Sequence, residues 1–133
     1  MKVLVVEDDV DIQDLAISLL GRAGYDVRAE GSGEAGLAAA LTQQPDLVIL
    51  DWMMPGMTGV EVCRAMRAHP RTKNIAVLML TSRAQEADID QAFTAGADDY
   101  MVKPFRGSEL VNRVKSLTAK DVRRVEPLTA KEQ

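Results

Sequence analysis

The chain has 133 residues, 47% hydrophobic and 27% charged, and its 16 Lys and Arg against 20 Asp and Glu give a net charge of −4. That length suits one domain with its own core, burying roughly two-thirds of the surface its unfolded chain exposes. The acidic balance and 4% aromatic content exclude a general nucleic-acid surface on these residues. The single cysteine, Cys63, excludes a disulfide framework or a thiolate zinc site, and no apolar stretch approaches the roughly 20 residues of a membrane helix. With no secretory signal at the N-terminus, the expected setting is the cytoplasm, without membrane contact.

The first apolar run, Val3 to Val6, is continuous rather than alternating, the mark of a strand covered on both faces, and it ends in Glu7-Asp8-Asp9. Ile12, Leu15, Ala16, Leu19 and Leu20 then fall on one face of a helix that Gly24 closes. Tyr25 to Glu30 is a weaker strand candidate, followed by a helix from about Gly33 to Thr42 that Pro45 ends. A third strand, Leu47 to Leu50, runs into Asp51, and Thr58 with Glu61 forms a capping box opening a helix through Val62, Cys63 and Met66. Ile75 to Leu80 is a fourth strand, ending in Thr81-Ser82. A helix from about Ala84 to Ala95 follows, with Ile89, Ala92 and Phe93 inward and Gly96 terminating it. The fifth strand, Asp99 to Val102, ends in Lys103-Pro104, and Leu110, Val111, Val114 and Leu117 mark a last helix from about Ser108 to Leu117. The expected domain therefore spans 1–117, and 118–133 reads as a helix extension or a linker. Strand followed by helix, five times over, means an α/β fold: a doubly wound parallel sheet with helices on both faces.

In open sheets of this kind ligands bind beyond the carboxyl ends of the strands. Four of the five strand ends here carry chemistry: Glu7, Asp8 and Asp9, then Asp51, then Thr81, then Lys103. Only the second strand ends without such a group, which puts it at the sheet edge. Clustered carboxylates repel one another, and a hard divalent cation relieves that; carboxylate oxygens plus water suit Mg2+, with Mn2+ as a substitute. Such a set fits phosphoryl chemistry, with a carboxylate nucleophile forming an aspartyl phosphate and Lys103 and Thr81 meeting its oxygens. Each residue also has a structural reading. Asp51 alone is an ordinary strand-end residue, Asp9, Asp11 and Asp14 suit a helix N-terminus, Tyr100 suits half-buried strand packing, and Trp52, Met53 and Met54 suit loop packing or a partner contact. Cys63 reads as a small core residue and His69 as a loop residue.

Taken together, Val5-Val6-Glu7-Asp8-Asp9, Asp51-Trp52-Met53-Met54-Pro55-Gly56, Met79-Leu80-Thr81-Ser82 and Gly96-Ala97-Asp98-Asp99-Tyr100-Met101-Val102-Lys103-Pro104-Phe105 resemble the receiver domain of bacterial two-component response regulators. They are most similar to receivers joined to winged-helix DNA-binding domains. The resemblance implies a flavodoxin-like sheet of five strands in order 2-1-3-4-5. It implies that Asp51 accepts phosphate from a sensor histidine kinase or phosphotransfer protein. It further implies that Asp8, Asp51 and the Met53 backbone carbonyl hold Mg2+, with Glu7 acting through water. Thr81 and Tyr100 match the switch pair, and Lys103, before a cis bond to Pro104, matches the phosphate contact. The switch then alters the surface of the fourth helix, fifth strand and fifth helix, which controls an output partner or a homodimer. Asp98, Asp99, Glu109 and Arg113 match the ion-paired dimer surface of the winged-helix group, but Ile89 stands where a basic residue is expected. DNA binding, on this reading, belongs to a C-terminal output domain outside these residues. The chain is expected to be a switch that catalyses only its own phosphorylation and slow hydrolysis. The alternatives are a phosphohydrolase working through an aspartyl phosphate, against which Met53 stands where such enzymes carry a second Asp, and a phosphorylation-independent interaction module.

Overall fold

A computed structural model describes residues 1–119. Five strands, β1 (Lys2–Val6), β2 (Asp26–Glu30), β3 (Leu47–Asp51), β4 (Ala76–Thr81) and β5 (Asp99–Val102), alternate with five helices, α1 (Val10–Arg22), α2 (Gly33–Gln43), α3 (Gly59–Ala68), α4 (Glu86–Thr94) and α5 (Gly107–Leu117). The strands are parallel in the order β2-β1-β3-β4-β5. The continuous apolar runs are the central strands, and their successive side chains feed two separate cores. Leu4, Val6, Val48, Leu50, Val77 and Met79 pack under α2, α3 and α4, with Val62, Cys63 and Met66. Val3, Val5, Leu47, Ile49, Leu78 and Leu80 pack under α1 and α5, with Leu20, Leu110 and Val114.

Local signals set the element ends. Asp9 caps α1, accepting from the Asp11 and Ile12 amides. Ser32 caps α2, and Thr58 with Glu61 forms the expected reciprocal capping box at α3. Gly24 and Gly96, with φ of 100° and 112°, take the left-handed turns that follow α1 and α4. Gly59 opens α3 so close to β3 that a Cβ there would collide with the Asp51 carbonyl oxygen, and its amide donates to the Trp52 carbonyl at 2.9 Å. The helix start is thereby held against the strand end that carries Asp51. The Lys103-Pro104 bond is cis, as expected.

Three expectations are corrected. α4 begins at Glu86, two residues later than Ala84, because the backbone is still extended at its N-cap, Gln85, with φ −74° and ψ 153°. Leu15 and Phe93, expected inward, are exposed, at 44% and 43%. Leu15 lies at the margin of the α1 stripe, beside the loop after β5, and the Phe93 ring packs edge-on to the half-buried Tyr100 of β5, centroids 5.8 Å apart, while remaining partly in solvent. The expected segment 118–133 lies outside the described residues beyond Ala119.

Candidate functional site

Strand register brings the chemistry to one rim. Val6 lies opposite Leu50, Asp51 opposite Leu80 and Thr81 opposite Val102, so Glu7, Asp51, Thr81 and Lys103 end or immediately follow four adjacent strands. Two backbone bonds knit the exits together: the Trp52 amide donates to the Leu80 carbonyl at 2.9 Å, and the Lys103 amide to the Thr81 carbonyl at 2.8 Å.

The Lys103 ammonium donates to Glu7 Oε1 at 2.8 Å and to Asp51 Oδ1 at 3.1 Å. Both carboxylates are buried, at 2% and 4% exposure, while Asp8 is exposed. Oxygens of Glu7, Asp8 and Asp51 lie within 4.8 Å of one another. Burial pushes the Glu7 carboxyl up to about 7 against the opposing pull of Lys103. Burial also raises Asp51, though hydrogen bonds from Glu7 and Lys103 hold it back. Lys103 is itself raised: burial works against its charge, but its bonds to Glu7 and Asp51 outweigh that. The site thus holds more negative charge than one ammonium neutralises. Three hard oxygen donors, one of them open to solvent, fit a divalent cation such as Mg2+ that keeps part of its water shell.

Asp9 does not join the cluster, because its carboxylate is spent on the α1 cap. Met53 follows Asp51 in the loop with its side chain exposed, whereas its neighbours Trp52 and Met54 are buried. The Thr81 hydroxyl sits beside the site but is engaged by the Arg83 amide. Tyr100 is half-buried against the α2–α3–α4 core and Phe93.

On the surface formed by α4, β5 and α5 the three expected acidic residues each pair within the chain. Asp99 and Glu109 both pair with Arg113, at 2.9 and 3.2 Å, within the same chain, and Ile89 is half-buried. Asp98, expected on the same surface, accepts from the Val77 amide at 2.9 Å and from Arg67 at 3.0 Å. Asp98 immediately precedes β5 and turns to Val77 and Arg67, whereas Asp99, the first residue of β5, turns to Arg113 of α5.

Arg67 was not singled out from the sequence. Besides Asp98 it donates to the carbonyls of Gly96, Lys73 and Ile75. Its partners are strand-end and loop groups with no side-chain signature, so only the closing salt bridge to Asp98 was open to sequence reasoning. Glu34 was missed as well; it reaches from α2 to the Met57 amide at 3.2 Å and ties down the loop after Asp51.

Residues 3–115 match the family model of the response regulator receiver domain. The chain belongs to that family. Receivers are the phosphorylation-activated switches of two-component signalling, and they bind Mg2+ at an acidic site of this kind. The receiver is 45% identical over 116 residues to the DNA-binding dual master transcriptional regulator RpaA of Synechocystis sp., covering 87% of this chain and 48% of that protein. It is 39% identical over 126 residues to the phosphate regulon transcriptional regulatory protein PhoB of Rhizobium meliloti, covering 95% and 54%. The receiver thus spans about half the length of these curated relatives. Among solved structures, chemotaxis protein CheY4 of Vibrio cholerae superposes with a TM-score of 0.83 at 33% identity, covering 87% of this chain and 97% of that one. Among the described residues no helix is long and apolar enough to cross a membrane.

Proposed function

We propose that Asp51 is the phosphoacceptor of this receiver. The observation that carries the reading is the buried Asp51 carboxylate at the sheet rim, held with Glu7 by Lys103 and grouped with Asp8. Asp51 attacks phosphorus, the phosphorus–nitrogen bond of a phosphohistidine breaks, and an acyl phosphate forms on the carboxylate as the imidazole leaves. Asp8, Asp51 and the Met53 carbonyl would hold Mg2+, with Glu7 at one remove, and the bound cation would supply neutralisation of phosphoryl charge. Lys103 keeps an ammonium at the phosphoryl oxygens, and Thr81 donates its hydroxyl to another once it turns from the Arg83 amide. Tyr100 follows from its half-buried position, so the surface of α4, β5 and α5 registers the modification.

The donor is a sensor kinase or phosphotransfer protein, and the shallow groove of about 440 Å³ lined by Ile12, Leu15, Ser82, Lys103, Pro104 and Phe105 suits its docking. The exposed Leu15 would become buried in that contact, and Lys103 puts the groove at the edge of the site. The half-length match to transcriptional regulators supports a receiver of residues 1–117 that acts in the cytoplasm and leads through 118–133 to a DNA-binding output domain. Arg113 is satisfied within the chain, and Ile89 replaces a basic residue, so any homodimer through this surface rests more on apolar contact than on ion pairs.

The test is incubation with Mg2+ and acetyl phosphate. A single stable phosphoryl group, absent from Asp51→Asn and hydrolysed slowly, supports the switch. Rapid multiple turnover indicates a phosphohydrolase, and no Asp51-dependent modification refutes the reading.

A further inference from the structure

Arg83 forms a bracket across the two loops that flank the rim. Its guanidinium donates to Asp88 Oδ1 through Nε at 3.2 Å and Nη2 at 2.9 Å. The same guanidinium lies 5.0 Å from the centre of the buried Trp52 ring and brings Nη1 to 3.8 Å from the Met53 sulfur. Trp52 and Met53 directly follow Asp51. Asp88 lies in the first turn of α4, and the Arg83 amide holds the Thr81 hydroxyl at 2.7 Å. One side chain therefore joins the loop after β3 to the start of α4, while its own backbone occupies the hydroxyl that must turn to meet a phosphoryl group. Asp88 is the anchor: its side chain is 16% exposed against 44% for Arg83, so the flexible partner is pinned to the fixed one.

We propose that Asp88 and Arg83 are positioning residues that hold Thr81 in the resting arrangement, so that phosphorylation must release the Arg83–Asp88 pair before α4 shifts. The inference rests on Asp51 being the phosphoacceptor. A contact made only in the resting state opposes any ligand that favours the other state, and removing it tightens that ligand by the factor the contact was worth. An ion pair at this exposure, with an aromatic face beside it, accounts for a factor of about two to five.

Trp52 is the sole tryptophan of the sequence and stands next to Asp51, which makes its fluorescence the readout. Beryllofluoride and Mg2+ are titrated into wild type, Asp88→Asn, Asp88→Glu and Glu86→Gln. Glu86 shares the first turn of α4 and therefore controls for loss of a helix N-terminal charge. The expected result is beryllofluoride affinity about two- to fivefold tighter in Asp88→Asn, wild-type affinity in Glu86→Gln, and partial restoration in Asp88→Glu. Mg2+ affinity measured without beryllofluoride stays at the wild-type value throughout. Unchanged or weaker beryllofluoride binding in Asp88→Asn, or an equal change in Glu86→Gln, overturns the proposal. A wild type that neither binds beryllofluoride nor takes up phosphate on Asp51 overturns the phosphoacceptor reading itself, a different and recognisable outcome.

Discussion

Replacing Lys103 by Met keeps the length of the side chain and removes its charge, leaving the buried Glu7 and Asp51 carboxylates facing each other beside Asp8. At the observed 2.8 and 3.1 Å, each ion pair is worth about 5–6 kcal/mol of Coulomb energy at an effective dielectric of about 20, before desolvation is subtracted. Breaking a buried pair costs about 3–5 kcal/mol in practice; with the Lys103 side chain 20% exposed, about 2–3 kcal/mol is the fair expectation. For a domain of this size that lowers Tm by about 10 °C. The loss depends on pH with a definite sign. With Lys103 in place Glu7 is raised by burial to about 7 while Lys103 holds it down, so without the ammonium Glu7 rises further and keeps a proton that wild type gives up. The deficit of the variant is therefore smallest below about pH 7, where both forms carry that proton, and grows as pH rises above it. A bound cation does the same work, so Mg2+ raises the Tm of Lys103→Met more than that of wild type. The assay is thermal unfolding by circular dichroism, with chelator or saturating Mg2+, at about pH 6 and about pH 8. An equal loss under all four conditions would refute the electrostatic reasoning and leave only lost packing.

Arg67→Met strips the donor from the carbonyls of Gly96, Lys73 and Ile75 and from the Asp98 carboxylate. Unsatisfied part-buried acceptors make this cost about 2–4 kcal/mol in chemical denaturation, with Mg2+ affinity unchanged; a loss of about 0.5 kcal/mol or less, typical of an exposed ion pair, contradicts the network. Cys63 is fully buried, and burial pushes its thiol up to about 11. A thiol reagent should therefore label the native protein only as fast as it opens, and prompt stoichiometric labelling would show the core to be looser than described.

Much of the fold was legible because its signals are local and redundant. Each central strand is an uninterrupted apolar run, Thr58 and Glu61 announce α3, and Gly24 and Gly96 mark where α1 and α4 stop. The members of the rim were legible for a related reason: in a parallel sheet the ends of adjacent strands lie side by side, so Glu7, Asp51, Thr81 and Lys103 are brought together by topology alone. What stayed hidden depends on distances the sequence does not carry. Leu15 and Phe93 share an apolar stripe with buried neighbours, but the sheet covers only part of each stripe. Asp98 and Asp99 look equivalent as a pair, but Asp98, just before β5, meets Arg67 and Asp99, the first residue of the strand, meets Arg113. Arg67 binds mostly backbone carbonyls, which have no residue signature, and the Arg83 bracket joins loops 30 residues apart.

The central claim is that Asp51 carries the phosphoryl group, and the most direct measurement is its location in the chain. The protein is treated with acetyl phosphate and Mg2+, digested under acid conditions that preserve an acyl phosphate, and sequenced by tandem mass spectrometry. The account predicts one phosphoryl group on the Asp51 side chain, lost when Mg2+ is chelated before treatment. Phosphate on another residue, or modification of Asp51→Asn to the wild-type extent, would contradict it.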